Sequence, residues 1–211
     1  MGFRMGQLLI SEPNDKSYGR FSYCLPVVNI FTRTRPKTYL RFGDDVVLGR
    51  KASSTMITTV RGAGAYFVGL QGISINRKRL NISTDVFALK IDGANGPTGG
   101  CIIDSGTPYS RIVKPAYNKL KEGLENYFSM NKNLQRTTGG LGLELCYERR
   151  KPEGFKDLPD ITFHLQGSKG GLVIKPEGVF EVAKKSKLPK SPEYFCLAMI
   201  SSKRESIIGA Y

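Results

Sequence analysis

The chain has 211 residues, 40% of them hydrophobic, so it can bury a core in one domain and is not a mini-protein that depends on crosslinks. Its 32 Lys and Arg outnumber 18 Asp and Glu, giving a net charge of +14, but the basic residues are dispersed and favour solvated surfaces over a nucleic-acid-binding arm. The sequence has no C-x-x-C pair of the kind that binds metals, and no segment is long and apolar enough to span a membrane.

The first half of the chain is patterned as β-strands separated by turns. Residues 1–19 have little pattern and no apolar run typical of a signal peptide. The following segments are rich in β-branched and aromatic residues and are bounded by turn residues: 20–25, 38–43, 65–75, 79–82 and 86–91. Together with 24 Gly and 11 Pro, this succession predicts an all-β fold.

A turn-rich loop, residues 92–100, leads into the sequence Cys-Ile-Ile-Asp-Ser-Gly-Thr at 101–107. Ile102 and Ile103 indicate the end of a buried strand, and Asp104 follows them directly. An unpaired carboxylate is costly in such a place. Asp104 therefore either caps a turn through nearby backbone N–H groups or is required by a reaction.

One segment departs from the β pattern. Residues 114–130 place Tyr117, Leu120, Leu124 and Phe128 at helical spacing, with Pro115 near the start. This spacing predicts an amphipathic helix whose aromatic residues serve packing.

Strands resume after the helix and continue to the last residue. They are predicted at 143–149, 160–165, 171–176, 179–183, 193–200 and 206–211. The single histidine, His164, lies inside one of them and is interpreted as a strand residue and not as a catalytic base.

The four cysteines are widely spaced, at Cys24, Cys101, Cys146 and Cys196, and by themselves allow two disulfides in three pairings. The sequence Asn-Ile-Ser at Asn81 is a candidate N-glycosylation site. Both features are compatible with passage through a secretory route.

Several stretches, in this order, resemble one known family: "GRFSYCLP", "YFVGLQGISI", "GGCIIDSGT", "AYNKL", "LCYE", "LPDITFHL", "YFCLAMI" and "SIIGAY". They are similar to the C-terminal lobe of the plant nepenthesin-like group of pepsin-like aspartic endopeptidases. The similarity extends from Gly19 onward. It implies an all-β, pepsin-like lobe with one main helix.

The resemblance also implies roles for individual residues. Asp104 would supply one carboxylate of a catalytic pair, held by the Gly106 N–H and the Thr107 hydroxyl. Ser105 would reach across to another lobe. Residues 207–209 would pass beneath the loop and contribute packing. Pro108 departs from the family's usual sequence after this motif.

By resemblance, the reaction is peptide hydrolysis by two carboxylates that share a proton, with no cofactor and no metal. Asp-Thr/Ser-Gly occurs once in this chain, at Asp104. We therefore expect residues 1–19 to be the end of a missing N-terminal lobe or linker, and residues 20–211 to be a C-terminal lobe that stops before its final strands. The implied partners are that N-terminal lobe and a peptide or protein substrate.

The resemblance implies a disulfide between Cys146 and Cys196. It places the partner of Cys24 in the missing tail and leaves Cys101 as a buried thiol. The family is secreted or vacuolar.

Other functions stay open at this stage. Plant xylanase-inhibitor proteins share the two-lobed fold without peptidase activity, so a binding role is the main alternative. A second is cationic surface binding through the net charge of +14. A homodimer with two copies of Asp104 would need a self-complementary interface, which we do not expect.

Overall fold

A computed structural model describes residues 20–24, 39–49, 52–61, 63–92, 96–139, 142–184 and 191–209. Residues 1–19, assigned by sequence to a preceding lobe or linker, lie outside the described residues, as do positions 210 and 211 of the last predicted strand. The elements follow in chain order: β1 (Phe21–Cys24), β2 (Tyr39–Phe42), β3 (Ile57–Thr58), β4 (Phe67–Val68), β5 (Leu70–Ile75), β6 (Lys78–Arg79), β7 (Leu89–Asp92), β8 (Gly96–Gly99), β9 (Cys101–Ile103), β10 (Ser110–Val113), α1 (Lys114–Ser129), β11 (Gln135–Thr137), β12 (Cys146–Arg149), β13 (Ile161–Leu165), β14 (Leu172–Ile174), β15 (Phe180–Lys184), β16 (Glu193–Leu197), β17 (Met199–Ser202) and β18 (Ser206–Ile208).

The strands form three larger sheets and two separate two-stranded ribbons. The largest sheet has the order β17-β10-β18-β9-β4-β3, and the other two have the orders β11-β12-β16-β15 and β14-β13-β5-β6. The ribbons are β1-β2 and β7-β8. Most neighbours are antiparallel, but β9 pairs with β18 in parallel, and so does β10 with β17. The sequence-based prediction of an all-β lobe with one main helix is confirmed.

Helix α1 packs its apolar face into the core that the sheets share. Tyr117, Leu120, Leu124 and Phe128 are all buried, as their spacing predicts. Phe128 contacts the rings of aromatic residues on three strands, among them Phe195. No helix in the described part of the chain is long and apolar enough to cross a bilayer.

Two long predicted strands are each divided between two sheets. The segment 65–75 breaks at Gly69, so that β4 joins the six-stranded sheet while β5 joins a four-stranded one. The Gly69 carbonyl accepts a hydrogen bond from the Gln166 backbone (2.8 Å), and a Cβ at Gly69 would lie 2.6 Å from Gln166 Oε1. The segment 193–200 breaks at Ala198, whose N–H donates to the Val179 carbonyl (2.8 Å).

Several sequence-based boundaries are wrong. Of the strand predicted at 79–82, only Arg79 belongs to a strand, β6. The first part of the strand predicted at 86–91 belongs instead to a 3-10 helix, Thr84–Phe87, which Ser83 caps. The predicted loop 92–100 contains β8, which pairs with β7 to form a hairpin. Three short strands, β3, β10 and β11, are absent from the sequence-based prediction because too few residues carry their pattern.

Candidate active site

Strand β9 delivers Asp104 to one end of the six-stranded sheet. β9 lies between β18, its parallel neighbour, and β4, its antiparallel neighbour. The pairing continues one step past the strand, because the Asp104 N–H donates to the Ile208 carbonyl (3.0 Å). The chain then turns back at once: the Thr107 N–H donates to the Asp104 carbonyl (3.1 Å). The backbone of Asp104 is therefore fixed on both sides.

The half-buried carboxylate of Asp104 is held by two donors from its own loop. Oδ1 accepts a hydrogen bond from the Gly106 N–H (2.8 Å), and Oδ2 accepts one from the Thr107 hydroxyl (2.7 Å). A Cβ at Gly106 would lie 3.1 Å from Oδ1, so a side chain there would crowd the carboxylate. A carboxylate has about four acceptor positions, so each oxygen retains capacity for a further donor.

The segment that follows β18 passes under this loop, as the resemblance implies. The Gly209 N–H donates to the Ser110 hydroxyl (3.0 Å), which ties the end of β18 to the start of β10. A Cβ at Gly209 would overlap the Thr107 carbonyl oxygen. Only glycine therefore lets the chain approach the loop so closely.

Two buried serines that the sequence analysis did not single out join β10 to β18 and to the residue that follows it. Ser110 accepts from Gly209, and the Ser206 hydroxyl accepts from the Val113 N–H (3.2 Å). Ser206 is completely buried and its own N–H donates to the Gly100 carbonyl (3.0 Å). The only signal in the sequence was a serine at the start of a short segment rich in β-branched residues, Ser-Arg-Ile-Val at 110–113 and Ser-Ile-Ile at 206–208.

The remaining residues of the loop are Ser105, Pro108 and Tyr109, and they differ in burial and in contacts. Ser105 is half-buried, and its hydroxyl has no hydrogen-bond partner within the described residues. Pro108, which departs from the family's usual sequence after the motif, is exposed. The turn before it keeps the hydrogen bond from the Thr107 N–H to the Asp104 carbonyl. Tyr109 then anchors the loop by donating a hydrogen bond to Glu181 Oε2 on β15 (3.0 Å).

Neither Cys101 nor His164 takes part in this arrangement. Cys101 is fully buried on β9, and burial raises the pKa of its thiol to about 12. His164 lies on β13 in a different sheet and bonds Ser74 through Nε2 (2.6 Å). Burial and then Arg79 lower the pKa of His164. Both are therefore structural residues of their strands.

The disulfide implied by resemblance is present. Cys146 and Cys196 are directly opposed on β12 and β16, with their Cα atoms 4.1 Å apart, and their sulfurs are bonded. Gly139 packs so closely on both sulfurs that a Cβ there would collide with them. Cys24 and Cys101 are unpaired among the described residues.

The described residues contain no group of three or more His, Cys, Asp or Glu side chains placed to hold a metal ion. No hydrogen bond within this described part joins Asp104 to a second carboxylate. The described part of the lobe thus presents one oriented carboxylate at the end of β9.

Known proteins match this chain both in sequence and in fold. The domain family described as "Xylanase inhibitor C-terminal" matches residues 65–211, which is more than half of the chain. Nepenthesin-1 of Nepenthes gracilis, an aspartic proteinase, is 30% identical over 97% of this chain and 43% of its own length. Nepenthesin-2 of the same plant is 28% identical over 96% of this chain and 42% of its own length.

Three further proteins extend the comparison. Aspartyl protease family protein 2 of Arabidopsis thaliana is 28% identical over 71% of this chain and 29% of its own length. The crystal structure of soybean basic 7S globulin superimposes with a TM-score of 0.52 at 17% identity, covering 81% of this chain and 42% of that one. The crystal structure of edgp superimposes with a TM-score of 0.56 at 19% identity, covering 78% of this chain and 41% of that one. The chain spans less than half the length of these relatives.

Proposed function

The chain belongs to the plant pepsin-like aspartic proteinase family, whose C-terminal lobe it matches, and we propose that Asp104 supplies one of the two catalytic carboxylates of a two-lobed endopeptidase. The observation that carries this proposal is the hydrogen bonding of Asp104. Both carboxylate oxygens are held by its own loop, at the end of a strand that pairs with β18 in parallel. A turn cap alone would not need the Thr107 hydroxyl on the second oxygen.

The chemistry needs a second carboxylate opposite Asp104. Two carboxylates a few ångströms apart do not both ionise easily, so they share one proton. The ionised one takes a proton from water, whose oxygen attacks the scissile carbonyl carbon, while the protonated one donates a hydrogen bond to the carbonyl oxygen. Collapse of the tetrahedral intermediate breaks the C–N bond, and the amine leaves with a proton.

The second carboxylate would come from an N-terminal lobe. In this proposal, residues 1–19 are the end of that lobe or its linker, and residues 20–211 are the C-terminal lobe. The shortness of the chain relative to its relatives supports this division. Ser105, whose hydroxyl has no partner in the described part of the chain, is the residue proposed to bond across to that lobe. The substrate is a peptide or protein.

A secreted or vacuolar location accompanies this function. The Cys146–Cys196 disulfide supports it, because structural disulfides persist in oxidising compartments.

The test is to join this chain to an N-terminal lobe that carries its own Asp-Thr-Gly and to measure cleavage of a protein substrate at acidic pH. Pepstatin-sensitive activity is expected, and Asp104→Asn should abolish it. Thr107→Val should reduce kcat by about 10-fold or more through loss of one charge-assisted hydrogen bond, about 1.5–3 kcal/mol. Thr107→Ser keeps the hydroxyl and should stay close to the parent. A folded two-lobed protein without activity would overturn the proposal.

A second function is favoured by the description of the matching family, "Xylanase inhibitor C-terminal". In that case the joined protein would bind a glycosidase and slow it without cleaving peptides. Asp104→Asn separates the two functions. It removes peptidase activity, whereas inhibition of a xylanase, measured by release of reducing sugar, should be unchanged by it.

A further inference from the structure

Asn81 begins the one Asn-x-Ser/Thr sequon in the sequence, Asn81-Ile82-Ser83. It follows β6 and precedes the 3-10 helix Thr84–Phe87, and it is exposed. Its side-chain amide has no hydrogen-bond partner within the described residues. The folded lobe can therefore carry a sugar on this amide without breaking an internal contact.

The sequon hydroxyl has a second use in the folded chain. Ser83 is the N-cap of the 3-10 helix, and its Oγ accepts a hydrogen bond from the Asp85 N–H (3.3 Å). The same hydroxyl donates to Asp85 Oδ2 (3.3 Å). Asn and Thr can also cap a helix. Substitutions at Ser83 can therefore remove the sequon while the cap remains.

Asn81 lies on the edge of a large open groove of about 1210 Å³ between β5-β6, the C-terminal half of α1 and the segment before β13. Its floor is apolar and includes Leu80, Phe128 and Phe195. Its edge carries Asn126, Asn133 and Tyr127, with Met130 almost fully exposed beside them. Charged side chains of both signs, among them Lys119 and Glu122, complete the lining.

The lining of this groove suits a saccharide. Side-chain amides both donate and accept hydrogen bonds, as sugar hydroxyls require. A tyrosine ring offers an apolar face for a sugar ring to stack on, and Tyr127 is 37% exposed while its hydroxyl donates to the Asp157 carbonyl (3.2 Å). A sugar chain attached to Asn81 would start at the edge of the groove.

We propose that Asn81 is an N-glycosylation site and that the inner sugars of its glycan lie along this groove over Tyr127 and Met130. The donor is a lipid-linked oligosaccharide pyrophosphate of the secretory pathway. A bond forms between Asn81 Nδ2 and the anomeric carbon, the bond from that carbon to the phosphate oxygen breaks, the amide loses a proton and the lipid pyrophosphate leaves. This inference rests on the secreted or vacuolar location proposed above, which the Cys146–Cys196 disulfide supports.

The first test measures attachment. The 211-residue chain is secreted from a eukaryotic host with a cleavable leader, and its mass is compared before and after treatment with a peptide-N-glycosidase. The parent and Ser83→Thr should lose one glycan, whereas Asn81→Gln and Ser83→Asn should show none. Ser83→Asn keeps the cap, so a well-folded protein is expected. A parent chain that is secreted and disulfide-bonded but carries no glycan would overturn the proposal.

The second test measures where the glycan lies. Mild peroxide oxidation of Met130 is followed by mass spectrometry in the glycosylated chain and in Asn81→Gln. Oxidation of Met130 should be at least 3-fold slower in the glycosylated chain. Met56, which is 77% exposed and lies outside the groove, is the internal control and should oxidise equally in both. Equal rates at Met130 would overturn the placement of the glycan in the groove.

Discussion

At the scale of single residues, the site depends on small groups in places where the chain approaches itself closely. Asp104 is held by a backbone N–H and a hydroxyl from residues two and three positions further on. Gly209 passes against the Thr107 carbonyl, and Ser110 satisfies its N–H. The close approach at Gly209 leaves no room for a larger group, so even the addition of one methyl group there should have a large effect.

Gly209→Ala is expected to destabilise the lobe by about 1–3 kcal/mol, because the added methyl group would overlap the Thr107 carbonyl oxygen and displace the loop. The measurement is urea unfolding followed by circular dichroism. Gly49→Ala is the matched control, since a Cβ there meets nothing within 4 Å. It should change stability by less than about 1 kcal/mol. Equal effects at both positions would contradict the close approach.

Cys101 should be inert in the folded chain. Burial raises the pKa of its thiol from 9.0 to about 12, so it stays protonated between those pH values while an unfolded thiol ionises. Its contribution to stability is therefore complete below about pH 9 and is lost as pH rises through 12.

The measurement for Cys101 is titration with a disulfide reagent at pH 8. One thiol, Cys24, should react in the folded chain and two in denaturant. Cys24→Ser should leave none reactive before unfolding. Reaction of Cys101 in the folded chain at a rate similar to Cys24 would show that β9 opens readily to solvent.

At the scale of elements, the antiparallel strands β12 and β16 are linked by side chains at both ends of their pairing. The disulfide joins the two strands at one end, and the buried ion pair of Arg149 and Glu193 joins them at the other. Glu193 Oε1 also accepts from the N–H groups of Glu153 (2.8 Å) and Gly154 (2.9 Å). The pair thereby fixes the segment that forms one side of the groove near Asn81.

Removing one partner of this ion pair should be costly. Glu193→Gln leaves the buried Arg149 guanidinium with the exposed carboxylate of Glu153, 3.6 Å away, as its remaining countercharge among the described residues, and a loss of about 3 kcal/mol is expected. The double variant Arg149→Met/Glu193→Leu should recover part of that loss, because no charge stays buried. Urea unfolding of Arg149→Met, Glu193→Leu and the double variant that combines them gives the coupling energy. A double variant no more stable than Glu193→Gln would contradict this expectation.

At the scale of the whole molecule, the proposed peptidase activity depends on how many carboxylates meet in one cleft. The chain covers 43% of nepenthesin-1 and contains the Asp-Ser-Gly motif once. A pair of carboxylates in one cleft therefore requires another lobe or a second copy of this chain. A second copy would have to meet the first through a self-complementary surface around Asp104.

The isolated chain is expected to show no pepstatin-sensitive peptidase activity at acidic pH, and Asp104→Asn should change nothing measurable. Cleavage of a denatured protein substrate is the measurement, with light scattering to report the oligomeric state. Activity that appears with the dimer and is lost in Asp104→Asn would mean that two copies form the site.

The sequence alone determined the β-rich class, the helix at 114–130 and the loop that carries Asp104. Each depends on signals within a few residues: alternation, helical spacing, and a turn after a buried strand. Resemblance to a family added the pairing of Cys146 with Cys196. Local patterns suffice for such features because the residues that define them are neighbours in the chain.

Only the tertiary structure decided how distant segments meet. It divided the strand predicted at 65–75 between two sheets and brought β18 between β9 and β10, about a hundred residues away in sequence. It also showed that the hydroxyls of Ser110 and Ser206 join β10 to the segment of β18. Such pairings depend on which surfaces the whole chain buries together. A serine in a short apolar strand has the same local pattern whether its hydroxyl joins two strands or faces water.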